Sequence, residues 1–151
     1  MPDEGHSKIE AVRQDCLFCR IVAQNQEARI VFNDAISLAF LDHRPLFPGH
    51  CLLIPKTHFE TLADLPGNLV GPLFLNVQRL AETVQRVMKA EGTFVGINNR
   101  VSQSVPHFHV HIVPRRRKDG LRGFFWPRRP YTSEDQSAAV QKALRSELED
   151  E

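Results

Sequence analysis

Pro106-His-Phe-His-Val-His-Ile-Val-Pro114 is the stretch that decides how this chain is read. Its three histidines, His107, His109 and His111, alternate with the apolar Phe108, Val110 and Ile112. A period of two with strand-forming spacers predicts a β-strand. Alternate side chains on a strand share a face, so three imidazoles are expected on one surface and three apolar side chains in a core. The ordinary histidine pKa, roughly 6.5, lets the ring exchange protons or attack an electrophile near neutral pH. From the residues alone the trio has three readings. Two or three rings bind a catalytic metal, one ring acts covalently or by acid–base chemistry, or the rings form a polar network with no chemistry.

Working outward, the chain alternates short apolar runs with turns. Residues 15–23 suit a short helix, and residues 29–32 and 36–42 read as two strands around Asn33-Asp34. Residues 51–55 (CLLIP) form a continuously apolar strand, expected to be buried on both faces. Leu69, Leu73, Val77, Leu80, Val84 and Met88 recur at helical spacing. That helix is expected to tolerate Pro72 only near its first turn and to stop at Gly92. Residues 93–97 read as a further strand, and Ser133-Glu-Asp-Gln136 as a capping box opening a C-terminal helix to about Glu149. The pattern is α+β, with a mainly antiparallel sheet and one long central helix. Residues 1–12 are expected to be flexible, and 13–151 to form a single domain.

The 151 residues carry a net charge of +1, with 42% hydrophobic and 25% charged residues. That balance gives no global field for nucleic acid or membrane, so a nucleic-acid partner is not expected. No apolar run approaches the roughly 20 residues that span a bilayer, and the N-terminus has no signal pattern. Three cysteines, two of them as Cys16-x-x-Cys19, suggest a reducing, cytoplasmic setting rather than a disulfide framework.

The Cys16/Cys19 pair is a common half-site for zinc. Two further ligands must come from histidines: His58, just after a buried strand, and His107, the outermost of the trio. A tetrahedral Cys16/Cys19/His58/His107 site would tie the N-terminal segment to the sheet and add metal-binding free energy to folding. The alternatives are a reversible thiol pair and two inert buried cysteines.

The loop before the histidines, with Asn98, Asn99, Gln103 and Ser104, supplies neutral donors suited to a phosphate. Asp42 could grip the two hydroxyls of a ribose, and Phe40 could pack on a base. No GxxxxGK[ST] loop is present, which argues against an ATP-driven motor or kinase.

The run His107-Phe-His-Val-His-Ile-Val113 resembles the signature of the histidine triad (HIT) superfamily. Asp15-Cys-Leu-Phe-Cys-Arg-Ile-Val22, Ala39-Phe-Leu-Asp42, Pro48-Gly-His-Cys-Leu-Leu-Ile-Pro-Lys-Thr-His58 and Gln103-Ser-Val105 resemble family segments in the same order. The likeness is greatest to the zinc-containing prokaryotic members related to the Hint and Fhit branches. It implies that His109 attacks the α-phosphate of a purine nucleoside phosphoramidate or dinucleoside polyphosphate, forming a nucleotidyl-histidine. It implies that His111 contacts phosphate oxygens or the leaving group, with His50 supporting the triad. Asn99, Gln103 and Ser104 would touch phosphate and Asp42 the ribose, while Cys16, Cys19, His58 and His107 would hold structural zinc. It also implies a homodimer whose sheets join into one of ten strands. The alternative is a zinc-stabilised nucleotide-binding or interaction module without catalysis. Beyond Pro114 the segment from Arg115 to Tyr131 departs from the family ending. It is expected to be a basic, stacking surface near the active site for a longer polyanionic substrate, or to pack Phe124, Phe125 and Trp126 at a dimer interface.

Overall fold

The computed structural model describes residues 13–122 and 128–149. The expectation of a flexible N-terminus, and that for Phe124, Phe125 and Trp126, lie outside the described residues. In chain order the elements are α1 (Leu17–Val22), β1 (Ile30–Asn33), β2 (Ser37–Leu41), β3 (Cys51–Pro55), α2 (Gly67–Val87), β4 (Gly92–Gly96), β5 (Val110–Arg115) and α3 (Glu134–Glu149). The residues through Asp119 form one compact unit and those from Gly120 another. In the first unit five strands make one sheet in the order β1-β2-β3-β5-β4, every neighbouring pair antiparallel. This is the α+β architecture with a long helix that the patterning implies.

The central strand β3 explains the layering. Its five residues are all buried, and their side chains alternate between two apolar clusters. Cys51 and Leu53 join Leu73, Val77, Leu80 and Val84 of α2 with Phe108, Val110 and Ile112. Leu52 and Ile54 join Leu38 and Phe40 of β2 with Cys16, Phe18, Cys19 and Ile21 around α1. The long helix thus covers one face of the sheet and the short helix covers the other. Among the described residues no helix is long and apolar enough to cross a membrane.

Three local expectations are corrected. The histidine strand begins only at Val110, so His107 and His109 precede it. The β3–β5 ladder runs Cys51↔Ile112, Leu52↔His111, Leu53↔Val110. Its next steps would bring Pro55 opposite Phe108, and Pro55 has no N–H to give while its carbonyl lies 2.9 Å from His107 Nε2. The Phe108 N–H donates instead to the Phe59 carbonyl at 2.6 Å. Pro72 lies inside α2 beyond its first turn, where it removes the bond to the Asn68 carbonyl. Gly92 does not stop α2 but opens β4. The stop is Lys89, at φ 51°, with Lys89 N–H donating to Arg86 O and Ala90 N–H to Gln85 O. That pairing is a Schellman closure made with lysine instead of glycine.

In the second unit Ser133 Oγ accepts from Gln136 N–H at 3.1 Å, capping α3 as expected. The return arm differs by one residue, since Gln136 Oε1 accepts from the backbone N–H of Thr132 at 2.6 Å.

Candidate metal centre and candidate active site

The turn that starts α1 presents two thiols. Cys16 is the N-cap, its Sγ accepting from Cys19 N–H at 3.4 Å, and Cys19 lies in the first turn. Opposite them stand His58, three residues past β3, and His107. Their ligand atoms all lie within 4.8 Å of one another. Cys16 Sγ is 3.5 Å and Cys19 Sγ 3.6 Å from His107 Nδ1, and Cys19 Sγ is 3.3 Å from His58 Nδ1. A tetrahedral zinc with Zn–S about 2.3 Å and Zn–N about 2.05 Å would separate S from N by roughly 3.6 Å. Three of the six edges between the four ligand atoms therefore already stand close to the length such an ion needs, and the other three lie within 4.8 Å. His107 Nε2–H donates to the Pro55 carbonyl, which leaves Nδ1 as the bare lone pair facing the thiols. Burial first, then Cys16, pushes the Cys19 thiol up to about 12, so only a cation at this position would make it a thiolate near neutrality. Burial pushes His107 down to about 4, against the pull of its bond to Pro55, and a neutral imidazole is the ligand form.

Asp42, His50 and His111 also bring three ligand atoms within 4.8 Å. Here the partners argue against a metal. The Leu46 N–H donates to His50 Nδ1 at 3.1 Å, so a neutral His50 carries its proton on Nε2. That Nε2–H faces His111 Nδ1 at 3.0 Å. The same logic gives His111 its proton on Nε2. Asp42 Oδ2 lies 3.6 Å from His50 Nε2.

His109 is 3% exposed, with Nδ1 lying 2.7 Å from the His107 carbonyl. A carbonyl only accepts, so Nδ1 carries the hydrogen and Nε2 is an unshared pair. The His109 and His111 ring centres are 4.9 Å apart. The site thus sets a bare nitrogen on one ring beside an N–H on the next, the pairing of a nucleophile with a proton donor. Burial lowers the pKa of His109, opposed by its bond to His107 and by Asp42. Burial, then His109 and His50, pushes His111 down to about 4. Burial also lowers His50, with Asp42 opposing.

The remaining expected site residues are placed unevenly. Asp42 Oδ1 accepts from Arg44 N–H at 2.9 Å, and the side chain stays 16% exposed. Phe40 is 4% exposed and packs edge-on to Phe18 inside the second cluster. Asn99 Oδ1 holds Leu62 N–H at 2.9 Å, while Gln103 spans the loop from Arg100 N–H to the Glu60 carbonyl. Ser104 is exposed. Arg115, Arg116 and Arg117 sit at the other end of β5 from the triad, roughly 13 Å along the strand from His111. There Arg115 pairs with Asp119, Arg116 with the Met88 carbonyl and Arg117 with Glu91, so this part of the basic run is not beside the histidines. The contributors missed from sequence are the Leu46 N–H, the Pro55 and His107 carbonyls, and Phe18. Backbone groups leave no mark in a sequence, but Phe18 stands between the two cysteines and could have been noticed.

Fold and site together define a histidine-rich α+β protein with a thiol–imidazole cluster beside a buried imidazole whose Nδ1 is held by a backbone carbonyl. The chain belongs to the HIT family: the HIT domain model matches residues 23–118. A solved HIT family protein of Bacillus subtilis superposes with a TM-score of 0.79 at 30% identity, covering 88% of this chain and 96% of that one. A zinc-bound histidine triad family protein of Mycobacterium smegmatis superposes with a TM-score of 0.67 at 34% identity, covering 90% and 97%. Among curated relatives, an adenylylsulfatase of Arabidopsis thaliana is 31% identical over 78% of this chain and 61% of its own length. An asymmetrical bis(5'-nucleosyl)-tetraphosphatase of Schizosaccharomyces pombe is 34% identical over 61% of this chain and 52% of its own. The chain thus spans less than two thirds of either of these two enzymes.

Proposed function

We propose that the protein hydrolyses or transfers nucleotides by cleaving at the α-phosphate of purine nucleoside phosphoramidates or dinucleoside polyphosphates. The observation that carries this reading is the bare Nε2 of His109 beside the N–H of His111. His109 Nε2 attacks phosphorus, and the bond to the leaving group breaks. The anionic phosphate raises the proton affinity of the His50–His111 pair, which binds one proton beyond neutrality and passes it from His111 Nε2 to the leaving group. His109 is then an imidazolium bearing the nucleotidyl group, its Nδ1–H held by the His107 carbonyl. Water next bonds to phosphorus, the Nε2–P electron pair returns to His109, and the water proton goes to the pair. For a phosphoramidate the sum is substrate plus water giving monophosphate plus amine.

Asp42 grips the ribose hydroxyls, Phe40 backs the base, and Asn99, Gln103 and Ser104 meet the phosphate oxygens. Asn99 donates through Nδ2 while its Oδ1 keeps the Leu62 N–H, and Gln103 through the second hydrogen of the Nε2 that already bonds the Glu60 carbonyl. Cys16, Cys19, His58 and His107 hold structural zinc, which when bound supplies a charged clamp between α1 and the sheet. The domain comprises residues 13–151, pairs into a homodimer with a ten-stranded sheet, and works in a reducing cytoplasm. Support comes from the tautomer set and from the hydrolase names of two relatives.

The test is incubation with adenosine 5′-phosphoramidate. Wild type should release AMP, and an alkaline quench should trap a chain heavier by one nucleotidyl group. No release, or trapping at a residue other than His109, overturns the reading. Gel filtration at micromolar concentration should give a dimer, and a monomer would count against that assembly.

A further inference from the structure

We infer that Phe18 is a positioning residue for the His109 imidazole, applied from the turn that carries the candidate metal ligands. The inference rests on reading His109 as the nucleophile. One hydrogen bond, Nδ1–H to the His107 carbonyl at 2.7 Å, fixes one atom of the ring. The ring can still swing about that contact. Two aromatic rings pack against it. His111 lies 4.9 Å away, centre to centre, and Phe18 lies 5.1 Å away with its plane at 90° to that of His109. This is the edge-to-face geometry that aromatic pairs favour. Phe18 also meets His107 edge-on at 5.8 Å and Phe40 at 5.4 Å, and it is 4% exposed. It therefore touches two of the three triad rings and has no polar group of its own.

Its place in the chain gives the contact a second meaning. Phe18 lies between Cys16 and Cys19 on a helix of six residues. A helix so short has little stability of its own and stays where its side chains are held. What seats α1 is the approach of its two thiols to His58 and His107, together with the packing of Phe18 and Ile21 on the sheet. The turn that offers thiols to a cation thus presses a ring against the nucleophile. His107 works the same way from the other side, its imidazole facing the thiols and its carbonyl holding His109. Seating of α1 and alignment of His109 are one event.

The test compares wild type, Phe18→Leu and Ile21→Ala as full chains loaded with zinc, at a pH above 7 where the rings are neutral. Long-range 15N–1H spectra of the imidazoles report which nitrogen of His109 carries its hydrogen. Wild type should show a single Nδ1–H form. Phe18→Leu should keep its zinc and show a mixture of the two tautomers. Turnover of adenosine 5′-phosphoramidate should fall roughly tenfold in kcat with a smaller change in KM, as misalignment of a nucleophile predicts. Removing zinc from wild type should produce the same mixed spectrum, and removing it from Phe18→Leu should add little. Ile21→Ala opens a cavity in the same cluster, but zinc still holds the two thiols and Phe18 still meets the His109 ring, so it should lower stability without changing the His109 signals. If Phe18→Leu does not fold, Phe18→Met serves the same comparison. A wild-type His109 spectrum in the zinc-loaded Phe18 variant overturns the inference, and so does equal perturbation by Ile21→Ala. If wild type releases no AMP while the spectra change as expected, the chemistry assigned to His109 fails and the positioning stands.

Discussion

Two groups of histidines stand side by side in this molecule, and their backbone partners differ. In the thiol cluster, His107 gives its Nε2–H to the Pro55 carbonyl, so Nδ1 faces Cys16 and Cys19 bare. In the neighbouring group donors and acceptors alternate. Leu46 N–H meets His50 Nδ1, His50 Nε2–H meets His111 Nδ1, and His109 turns its Nδ1–H to a carbonyl. One arrangement converges lone pairs on a point, as a cation requires. The other strings protons along a line, as proton transfer requires. The residue type is the same in both, so the chemistry of each ring is decided by which backbone group it meets.

The largest expected effect comes from breaking the second group alone. His109→Ala should lower turnover of adenosine 5′-phosphoramidate by about 10³-fold or more. Metal analysis of the same variant should still find about one zinc per chain. Loss of the metal with His109 would erase the distinction between the two groups and make the triad a ligand set.

Breaking the first group should read out chiefly as stability. Cys16→Ser removes a candidate ligand of the proposed zinc clamp between α1 and the sheet, and the unfolding temperature should drop by on the order of 10 °C. Affinity for AMP, measured by calorimetry, should change less than stability does. The reverse ordering would place the metal in the nucleotide site.

How far the sequence anticipates this contrast depends on which groups make it. The apolar run of β3 and the helical spacing of α2 foretell two buried clusters, and they form as expected. The four candidate metal ligands also converge, because Cys-x-x-Cys and a residue just past a buried strand leave little freedom of placement. The tautomers were out of reach, since they depend on the carbonyls of Pro55 and His107 and the N–H of Leu46. The start of β5 was hidden for a related reason. Period two describes residues 107–112 well, but Pro55 opposite cannot continue the ladder. At the end of α2, a lysine in the left-handed region took the place where glycine was expected.

A smaller effect sharpens the comparison through pH. His111 titrates at about 4 in the folded chain, mainly because it is buried, against an ordinary 6.5. Above pH 6.5 neither the folded nor the unfolded ring binds a proton. As pH falls below that, the unfolded ring does and the folded one does not, so stability declines until about pH 4 and then levels off. Urea midpoints at pH 7 and pH 5 should differ more for wild type than for His111→Asn. Equal losses in the two proteins would mean that burial does not hold the His111 ring neutral.

The smallest effect should come from Gly49, which shapes the turn feeding that contact. Its φ is +95°, and a Cβ there would stand 2.6 Å from Met88 Cγ. His50 N–H closes the turn onto the Phe47 carbonyl, and the same turn brings Leu46 N–H to His50 Nδ1. Gly49→Ala must strain a left-handed position and push Met88 aside, at a cost of about 1–2 kcal/mol. If the turn orders the proton line and nothing else, the variant keeps its zinc while kcat falls a few-fold. Zinc loss on Gly49→Ala would show that the two histidine groups are held by one framework rather than by separate backbone partners.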